Sequence, residues 1–275
     1  MKSSLRLKTI FIGLLLLAAA GCGSRNSPPA PAADANSPAA NSGNANPPNA
    51  AKPAPPQTVK FESAGKAEIA GAFYESPKAD APAVLLLHQW QSDRKSYDDF
   101  ARRLQAKGFN VLAIDGRGFG ESVRTADGQT IAPARDADAV KAMQTDVDNA
   151  FQFLSKQKNV DPGRVGIVGA SYGSSLAILY AAGKKDVKAV ALLSPGLNYF
   201  GNMATEPAVK SYGDRALLLV AAEDDKESAD AVRKLKDAGA NEKYETQIYP
   251  QGGHGTALFE VGLADLLEKF LTKSL

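Results

Sequence analysis

Runs of apolar residues alternate with longer amphipathic stretches along most of the chain. Five runs are almost continuously apolar and predict strands at residues 83–87, 111–114, 165–168, 187–193 and 216–222, and a more polar run predicts another at 244–249. Continuously apolar strands separated by helices are typical of a mostly parallel sheet that helices cover on both faces. The pattern therefore predicts an α/β fold.

Helices are predicted where apolar residues recur at spacings of three and four. The clearest is residues 137–156, with apolar positions at Val140, Met143, Val147, Ala150, Phe151 and Leu154. Further helices are expected near residues 97–107, 172–182, 228–238 and 256–272. Ahead of them, residues 59–74 partly alternate around Gly65 and Gly71, which predicts an opening antiparallel hairpin. In such a fold the loops after the strands carry the functional site.

The N-terminal 22 residues predict a targeting signal. Basic residues precede an apolar run at 10–20, which is too short for a membrane-spanning helix. Residues 17–22, Leu-Ala-Ala-Ala-Gly-Cys, resemble the lipobox of bacterial lipoproteins, with Ala19 where leucine is commonest. The resemblance implies cleavage after residue 21 and a lipid on Cys22, the only cysteine of the chain. The alternative is a plain secretory signal in which Cys22 is incidental.

Location and domain boundaries follow from this segment and the next. Gly23 stands where an aspartate would retain a lipoprotein at the inner membrane, so the resemblance implies the outer membrane, facing the periplasm. Residues 22–56 consist almost entirely of Ala, Pro, Asn, Ser and Gly, a composition that predicts a flexible tether. The expected organisation is a signal at 1–21, a lipidated tether at 22–56 and one folded domain at 57–275.

Composition narrows the classes of function. The chain has 44% hydrophobic and 23% charged residues and a net charge of +2, as in an ordinary globular protein. No basic patch points to nucleic acid. The two histidines and single cysteine are too few for a usual zinc site, and there is no His-Glu-x-x-His run. We therefore expect neither a metal nor another cofactor.

One motif carries candidate chemistry. Directly after the strand predicted at 165–168 stands Gly169-Ala170-Ser171-Tyr172-Gly173, followed by a predicted helix. Gly-x-Ser-x-Gly between a strand and a helix places a serine on a tight turn, because glycines on either side let strand and helix approach. The helix start then directs backbone N–H groups at developing negative charge. Ser171 is the candidate nucleophile.

With this motif the chain resembles the α/β-hydrolase superfamily, most of all its small, capless dienelactone-hydrolase-like and acyl-peptidase-like esterases. Three more segments resemble that superfamily: residues 85–90, 115–122 and 161–165. The resemblance implies a Ser-Asp-His triad and an oxyanion hole made by the backbone N–H groups of Trp90 and Tyr172. Gln89 stands where the family often has glycine, so the Gln89 N–H is an alternative donor to that of Trp90.

The general base is expected among the two histidines, since histidine titrates near neutral pH. His254 lies in Gly252-Gly253-His254-Gly255, between the last predicted strand and helix, where the family places its base. His88 precedes the serine in the chain and is interpreted as a structural residue of the oxyanion loop. His254 is therefore the candidate base.

The acid of the triad is less clear, because three consecutive carboxylates, Glu223, Asp224 and Asp225, follow the strand predicted at 216–222. Chain order requires an acid between Ser171 and His254. The family pattern Gly-x-x-Asp, with Ala222 as its small residue, implies Asp225. Asp224 and Glu223 remain alternatives.

Together these residues predict a serine hydrolase that cleaves an ester or a related acyl bond of a small molecule. A non-catalytic envelope-binding lipoprotein on the same fold, or an acyltransferase, are the alternatives. Trp90 and the cluster of Tyr199, Phe200 and Met203 are either core or walls of a substrate pocket. Only about twenty residues separate the strands predicted at 187–193 and 216–222, which predicts an open cleft without a large cap domain.

Overall fold

An eight-stranded sheet forms the centre of the fold. The computed structural model describes residues 54–239 and 241–275, so the predicted signal, Cys22 and nearly all of the tether lie outside the described residues. The sheet has the order β1-β2-β4-β3-β5-β6-β9-β10. Its strands are β1 (Gln57–Ser63), β2 (Ala67–Tyr74), β3 (Ala81–Leu87), β4 (Asn110–Ile114), β5 (Val160–Ala170), β6 (Val187–Leu193), β9 (Ala216–Ala222) and β10 (Tyr244–Tyr249), while β7 (Asn198–Tyr199) and β8 (Met203–Ala204) form a small separate hairpin.

Most of the sheet is parallel. Strands β1 and β2 form the predicted antiparallel hairpin, and β2 also pairs antiparallel with β4. The other neighbours, from β4 through β10, pair in parallel. All six strands predicted from the apolar runs are present, and the expected α/β class is confirmed.

Helices cover both faces of the sheet. They are α1 (Asp98–Lys107), α2 (Ala137–Ser155), α3 (Tyr172–Gly183), α4 (Thr205–Tyr212), α5 (Lys226–Gly239) and α6 (Leu263–Ser274). Buried residues of α2, α3, α4 and α5 form one apolar cluster, and those of α1 and α6 form the other. Alternate residues of β3 point into each cluster, with Leu85 in the first and Leu86 in the second. Strands buried on both faces explain why the apolar runs were continuous.

Two parts of the chain differ from the prediction. The helix expected at 256–272 is divided into a 3₁₀ segment, Gly255–Val261, and helix α6. Gly262 separates them with a left-handed φ of 94°, a conformation that glycine adopts without strain. The connection between β6 and β9 also holds the β7–β8 hairpin and α4, which the sequence pattern did not predict. Both elements are too short to show a periodic pattern.

Candidate active site

Ser171 lies on a strained turn between β5 and α3. Its backbone has φ 54° and ψ −123°, an unusual conformation for a residue other than glycine. Its N–H donates to the Leu193 carbonyl oxygen at 2.8 Å, which fixes the turn to the neighbouring strand β6. The residue is 6% exposed. The predicted strand–turn–helix context of the Gly-x-Ser-x-Gly motif is thus present at the carboxyl edge of the sheet.

The two motif glycines allow this turn to pack closely. A Cβ at Gly169 would overlap the backbone of Gly173 within the turn itself. A Cβ at Gly173 would lie 2.6 Å from the carbonyl oxygens of both Leu87 and His88. Because these contacts are with backbone atoms, no side-chain movement would relieve them. Glycine at position 173 therefore lets the start of α3 lie against the loop that follows β3.

The backbone N–H groups of Trp90 and Tyr172 were the expected oxyanion donors. Tyr172 is the first residue of α3, where N–H groups have no partner within the helix. Within the part of the chain that the structure describes, neither of the two N–H groups donates to a protein acceptor. The rings of these residues also pack edge to face, with centroids 5.4 Å apart. The loop after β3 thus lies beside the start of α3, as an oxyanion hole requires.

His88 has a structural role in this loop. It is 2% exposed, and burial lowers its pKa, which favours the neutral ring. Its Nε2 accepts a hydrogen bond from the Gly116 N–H at 2.8 Å, so its Nδ1 carries the proton and donates to the Gln89 carbonyl oxygen at 2.7 Å. In a trans peptide C=O and N–H point in opposite directions. The Trp90 N–H therefore points away from His88.

Asp225 and His254 form a close pair. The Asp225 Oδ2 atom lies 2.6 Å from His254 Nδ1, which leaves Nε2 as the free ring nitrogen. Burial raises the pKa of the Asp225 carboxyl. Hydrogen bonds from Ser228, His254 and Ser194 outweigh that effect and hold the pKa below its usual value. Asp225 is therefore ionised at neutral pH and able to orient the imidazole.

The other two carboxylates face elsewhere. Asp224 accepts hydrogen bonds from the backbone N–H groups of Gly252 and Gly253 at 3.1 Å each, and so supports the loop before His254. Glu223 pairs with Arg233 on α5. Of the three consecutive acids, only Asp225 contacts the His254 ring.

Ser194 is a site residue that the sequence did not reveal. It is fully buried at the end of β6 and has a positive φ of 47°. Its Oγ accepts the Gly255 N–H at 2.8 Å, and its hydroxyl is one of the groups that lower the pKa of the Asp225 carboxyl. Its position directly after an apolar strand is the signal that could have identified it, because strand ends meet at the site in parallel sheets.

A cleft of about 490 Å³ opens beside the pair and is lined by Pro195, Gly196, Leu197, Asn198, Tyr199, Asp225, Glu227, Ser228, Asp230, Ala231, Lys234 and His254. Burial raises the pKa of the Tyr199 hydroxyl, although a hydrogen bond with Ser171 acts in the opposite direction. The same hydroxyl donates to the Ser194 carbonyl oxygen at 3.2 Å. Tyr199 thus lies between the turn that carries Ser171 and the cleft that it lines together with His254.

Met203, Trp90 and Phe200, for which the sequence left core and pocket wall open, differ in burial and are not among the residues that line the cleft. Met203 is fully buried. Trp90 and Phe200 are half-buried and pack against each other with ring centroids 4.8 Å apart. The Arg135 guanidinium lies over both rings, 4.7 Å from that of Trp90 and 5.1 Å from that of Phe200. Trp90, in the loop after β3, thus packs together with Phe200 and Arg135.

Two features that bear on catalysis are absent from the residues that the structure describes: a hydrogen bond between Ser171 and His254, and a metal-binding group. Among residues 54–239 and 241–275, no hydrogen bond joins the Ser171 hydroxyl to the His254 ring. Catalytic hydrogen bonds are often long without substrate and shorten when it binds. The same residues contain no group of three or more His, Cys, Asp or Glu side chains placed to hold a metal ion.

Curated relatives are similar to parts of this chain. It is 28% identical over 138 residues to the thiohydrolase aneE of Aspergillus aculeatus, covering 50% of this chain and 41% of that protein. It is 28% identical over 157 residues to the quorum-quenching protein AidA of Acinetobacter baumannii, covering 56% of this chain and 49% of that protein. The chain thus spans about half the length, or less, of these two relatives.

Solved structures agree in fold over most of the chain. Dienelactone hydrolase from Anabaena variabilis superposes with a TM-score of 0.61 at 19% identity, covering 81% of this chain and all of that one. Acetyl xylan esterase 1 from a Thermoanaerobacterium species gives a TM-score of 0.66 at 19% identity, covering 79% of this chain and 83% of that one. The expected α/β-hydrolase fold is therefore confirmed.

A family model provides the assignment. The model of the dienelactone hydrolase family matches residues 69–260, a range that extends from strand β2 to the 3₁₀ segment after His254. It contains the nucleophile turn and the Asp225–His254 pair. Because the match covers most of its length, the chain belongs to the dienelactone hydrolase family.

Proposed function

We propose that this protein is a serine hydrolase that cleaves an ester or a related acyl bond with Ser171, Asp225 and His254. The observation that carries the proposal is the presence of a strained Ser171 turn and an Asp225–His254 pair at one edge of the sheet. A nucleophile, a base and a group that orients the base are the parts that acyl transfer through serine requires. The names of the relatives, a thiohydrolase and an esterase among them, support the same class.

In the first half of the reaction, His254 Nε2 takes the proton of Ser171 as Oγ bonds to the acyl carbon. The negative charge passes to the carbonyl oxygen, which the N–H groups of Trp90 and Tyr172 hold. Asp225 stabilises the imidazolium. The tetrahedral intermediate then expels the leaving group, which takes the proton from His254, and Ser171 remains acylated.

In the second half, a water molecule takes the place of the departed leaving group beside the acylated Ser171. His254 takes a proton from that water as its oxygen bonds to the acyl carbon, and collapse of the new intermediate returns the proton to Ser171. The His254 side chain is 42% exposed, so solvent reaches it without movement of another element. This exposure favours hydrolysis over transfer of the acyl group to another alcohol or amine.

The experiment is a turnover assay with p-nitrophenyl acetate and with thioester and amide analogues, on the full chain. Ser171→Ala should abolish turnover, because loss of the nucleophile typically costs on the order of 10⁶ in rate. Ser175→Ala is the matched control, since Ser175 lies on the adjoining helix α3 and its buried hydroxyl has no hydrogen-bond partner among the residues that the structure describes. Unchanged turnover in Ser171→Ala would refute the proposal. Acylated alcohol in place of free acid, when an alcohol competes with water, would indicate an acyltransferase.

We also propose that a lipid on Cys22 anchors the protein to the bacterial envelope. The support is the lipobox-like sequence at 17–22 and the position of the only cysteine. No helix among the residues that the structure describes is long and apolar enough to cross a membrane. Cys22→Ser should move the protein from the membrane fraction to the soluble fraction, because the lipid is then never attached. A variant that stays with the membrane would contradict the anchor.

A further inference from the structure

The side chain of Gln89 ties the loop after β3 to the loop that carries His254. Its Oε1 atom accepts the Thr256 backbone N–H at 2.8 Å and the Thr256 hydroxyl at 3.2 Å. These residues are 167 positions apart in the chain. The contact therefore joins two loops that the sheet alone does not connect, since strands β5, β6 and β9 lie between β3 and β10.

Gly255 is matched to this contact. It has a φ of +64°, and a Cβ there would overlap the side-chain oxygen Oε1 of Gln89. The absence of a side chain at position 255 thus leaves the space that Gln89 Oε1 occupies. A long amide at position 89 and a glycine at position 255 fit one another.

The Gln89–Thr256 contact lies at the start of the 3₁₀ segment Gly255–Val261. His254 is the residue directly before that segment. The first N–H groups of such a segment have no partner within it. Ser194 takes the Gly255 N–H, and Gln89 takes the next one, that of Thr256. Glycines at 253 and 255 give the His254 backbone wide conformational freedom. These two side chains restrict that freedom from the C-terminal side.

From this geometry we infer that Gln89 is a positioning residue for the reaction. The inference rests on the serine-hydrolase function proposed above. Gln89 immediately precedes Trp90, whose N–H is the proposed oxyanion donor, and its side chain holds the segment of the proposed base. One residue thereby sets the distance between His254 and the oxyanion hole. An error of about 1 Å in such a distance can cost on the order of 10² in rate.

The test compares Gln89→Met with Gln91→Met in the full chain. Methionine has nearly the length of glutamine but no amide oxygen. Gln91 is exposed, two residues further on, and among the residues that the structure describes its side chain has no hydrogen bond to the His254 loop, whereas Gln89 has two. Gln89→Met should lower kcat for p-nitrophenyl acetate by at least about tenfold and leave KM within about twofold, because orientation changes and substrate binding does not. Gln91→Met should match the wild type.

Amide hydrogen exchange measures the hydrogen bond from the Thr256 N–H to Gln89 independently of activity. In the wild type the Thr256 amide should be protected, and in Gln89→Met it should exchange at least about tenfold faster, because its acceptor is lost. The Gly255 amide, which Ser194 holds, should change less. This measurement also decides the matter if Gln89→Met folds poorly, since an unprotected Thr256 amide in the wild type would by itself overturn the inference.

Two further results would overturn it. One is a kcat for Gln89→Met within about twofold of the wild-type value. The other is an equal loss of kcat in both methionine variants. Failure of the proposed function would look different. In that case the wild type would show no Ser171-dependent turnover, whereas the exchange of the Thr256 amide would still report on the contact.

Discussion

Two neighbouring carboxylates support different parts of the His254 loop. Asp225 lies against the imidazole, and Asp224 binds the backbone ahead of it. A carboxylate on a ring nitrogen fixes the tautomer and stabilises the imidazolium, whereas a carboxylate on backbone N–H groups only holds the loop. The two residues are therefore expected to differ in their effect on catalysis.

Substitution of each acid by asparagine separates these roles. Asp225→Asn should lower kcat by roughly 10⁴, because the amide favours the wrong tautomer and does not stabilise the imidazolium. Asp224→Asn keeps an oxygen that accepts the N–H groups of Gly252 and Gly253, so the loss should be less than about tenfold. Steady-state kinetics of both variants on one ester is the measurement. A larger loss in Asp224→Asn would show that the acid is one position earlier.

The site residues were predictable from sequence to different degrees. Ser171 stands in a motif whose context could be checked, and His254 is one of only two histidines. Asp225 was implied by the family pattern but kept Asp224 and Glu223 as alternatives, because three consecutive acids share one strand end and differ only in where the turn directs them. Ser194 and Gln89 act through hydrogen bonds to the backbone of the His254 loop. The place of Ser194 directly after an apolar strand could indicate nearness to the site, but the contacts themselves have no sequence signature, since any residue other than proline provides the N–H that they bind.

At the scale of elements, the packing of α3 against the loop after β3 sets the position of Ser171, the proposed nucleophile. Gly173 occupies the point of closest approach between them. Gly183, at the other end of the same helix, has nothing within 4 Å of the position a Cβ would take. The helix therefore offers a matched pair of glycines, one confined and one free.

Alanine at each glycine tests this packing. Gly173→Ala should destabilise the protein by about 1–3 kcal/mol, because its Cβ meets two backbone oxygens. In a domain of this size, each kcal/mol of lost stability lowers Tm by about 2–4 °C. Gly183→Ala should leave Tm unchanged or raise it, since alanine favours a helix. Equal melting temperatures of the two variants in thermal denaturation would show that the contact between α3 and the loop after β3 is not tightly packed at Gly173.

The inner strands β3, β4, β6 and β9 were predictable because they are buried on both faces and so are almost entirely apolar, whereas β10 is more polar and less buried. Strands β6, β9 and β10 begin and end where the apolar runs do. Helix ends and short elements were less predictable. The left-handed Gly262 divides the last helix, and α4, with eight residues, is too short for a clear period. In both places local backbone geometry, and not hydrophobic pattern, decides the structure.

For the whole molecule, the short connection between β6 and β9 determines how open the site is. It holds only the β7–β8 hairpin and α4. The cleft of about 490 Å³ beside His254 includes charged and polar side chains such as Glu227, Asp230 and Lys234. An open cleft that is lined in part by charged side chains suits soluble substrates better than lipid aggregates.

Substrate preference tests this openness. We expect short, water-soluble acyl esters to be hydrolysed faster than long-chain emulsified lipid, and the rate to rise smoothly across the solubility limit of each ester. The measurement is initial rate against concentration for a series of acyl chain lengths. A sudden increase in rate above the solubility limit, or faster turnover of the emulsion, would indicate a cap that opens at an interface.

Ser171 is proposed to be a nucleophile that His254 activates. A fluorophosphonate probe, which phosphonylates activated serines, followed by peptide mass spectrometry, tests it most directly. We predict one phosphonyl group per chain, located on Ser171, with full labelling retained in Ser175→Ala and none in Ser171→Ala. His254→Ala should slow labelling by at least about a hundredfold. Labelling that persists in Ser171→Ala, or that maps to another residue in the wild type, would contradict the account.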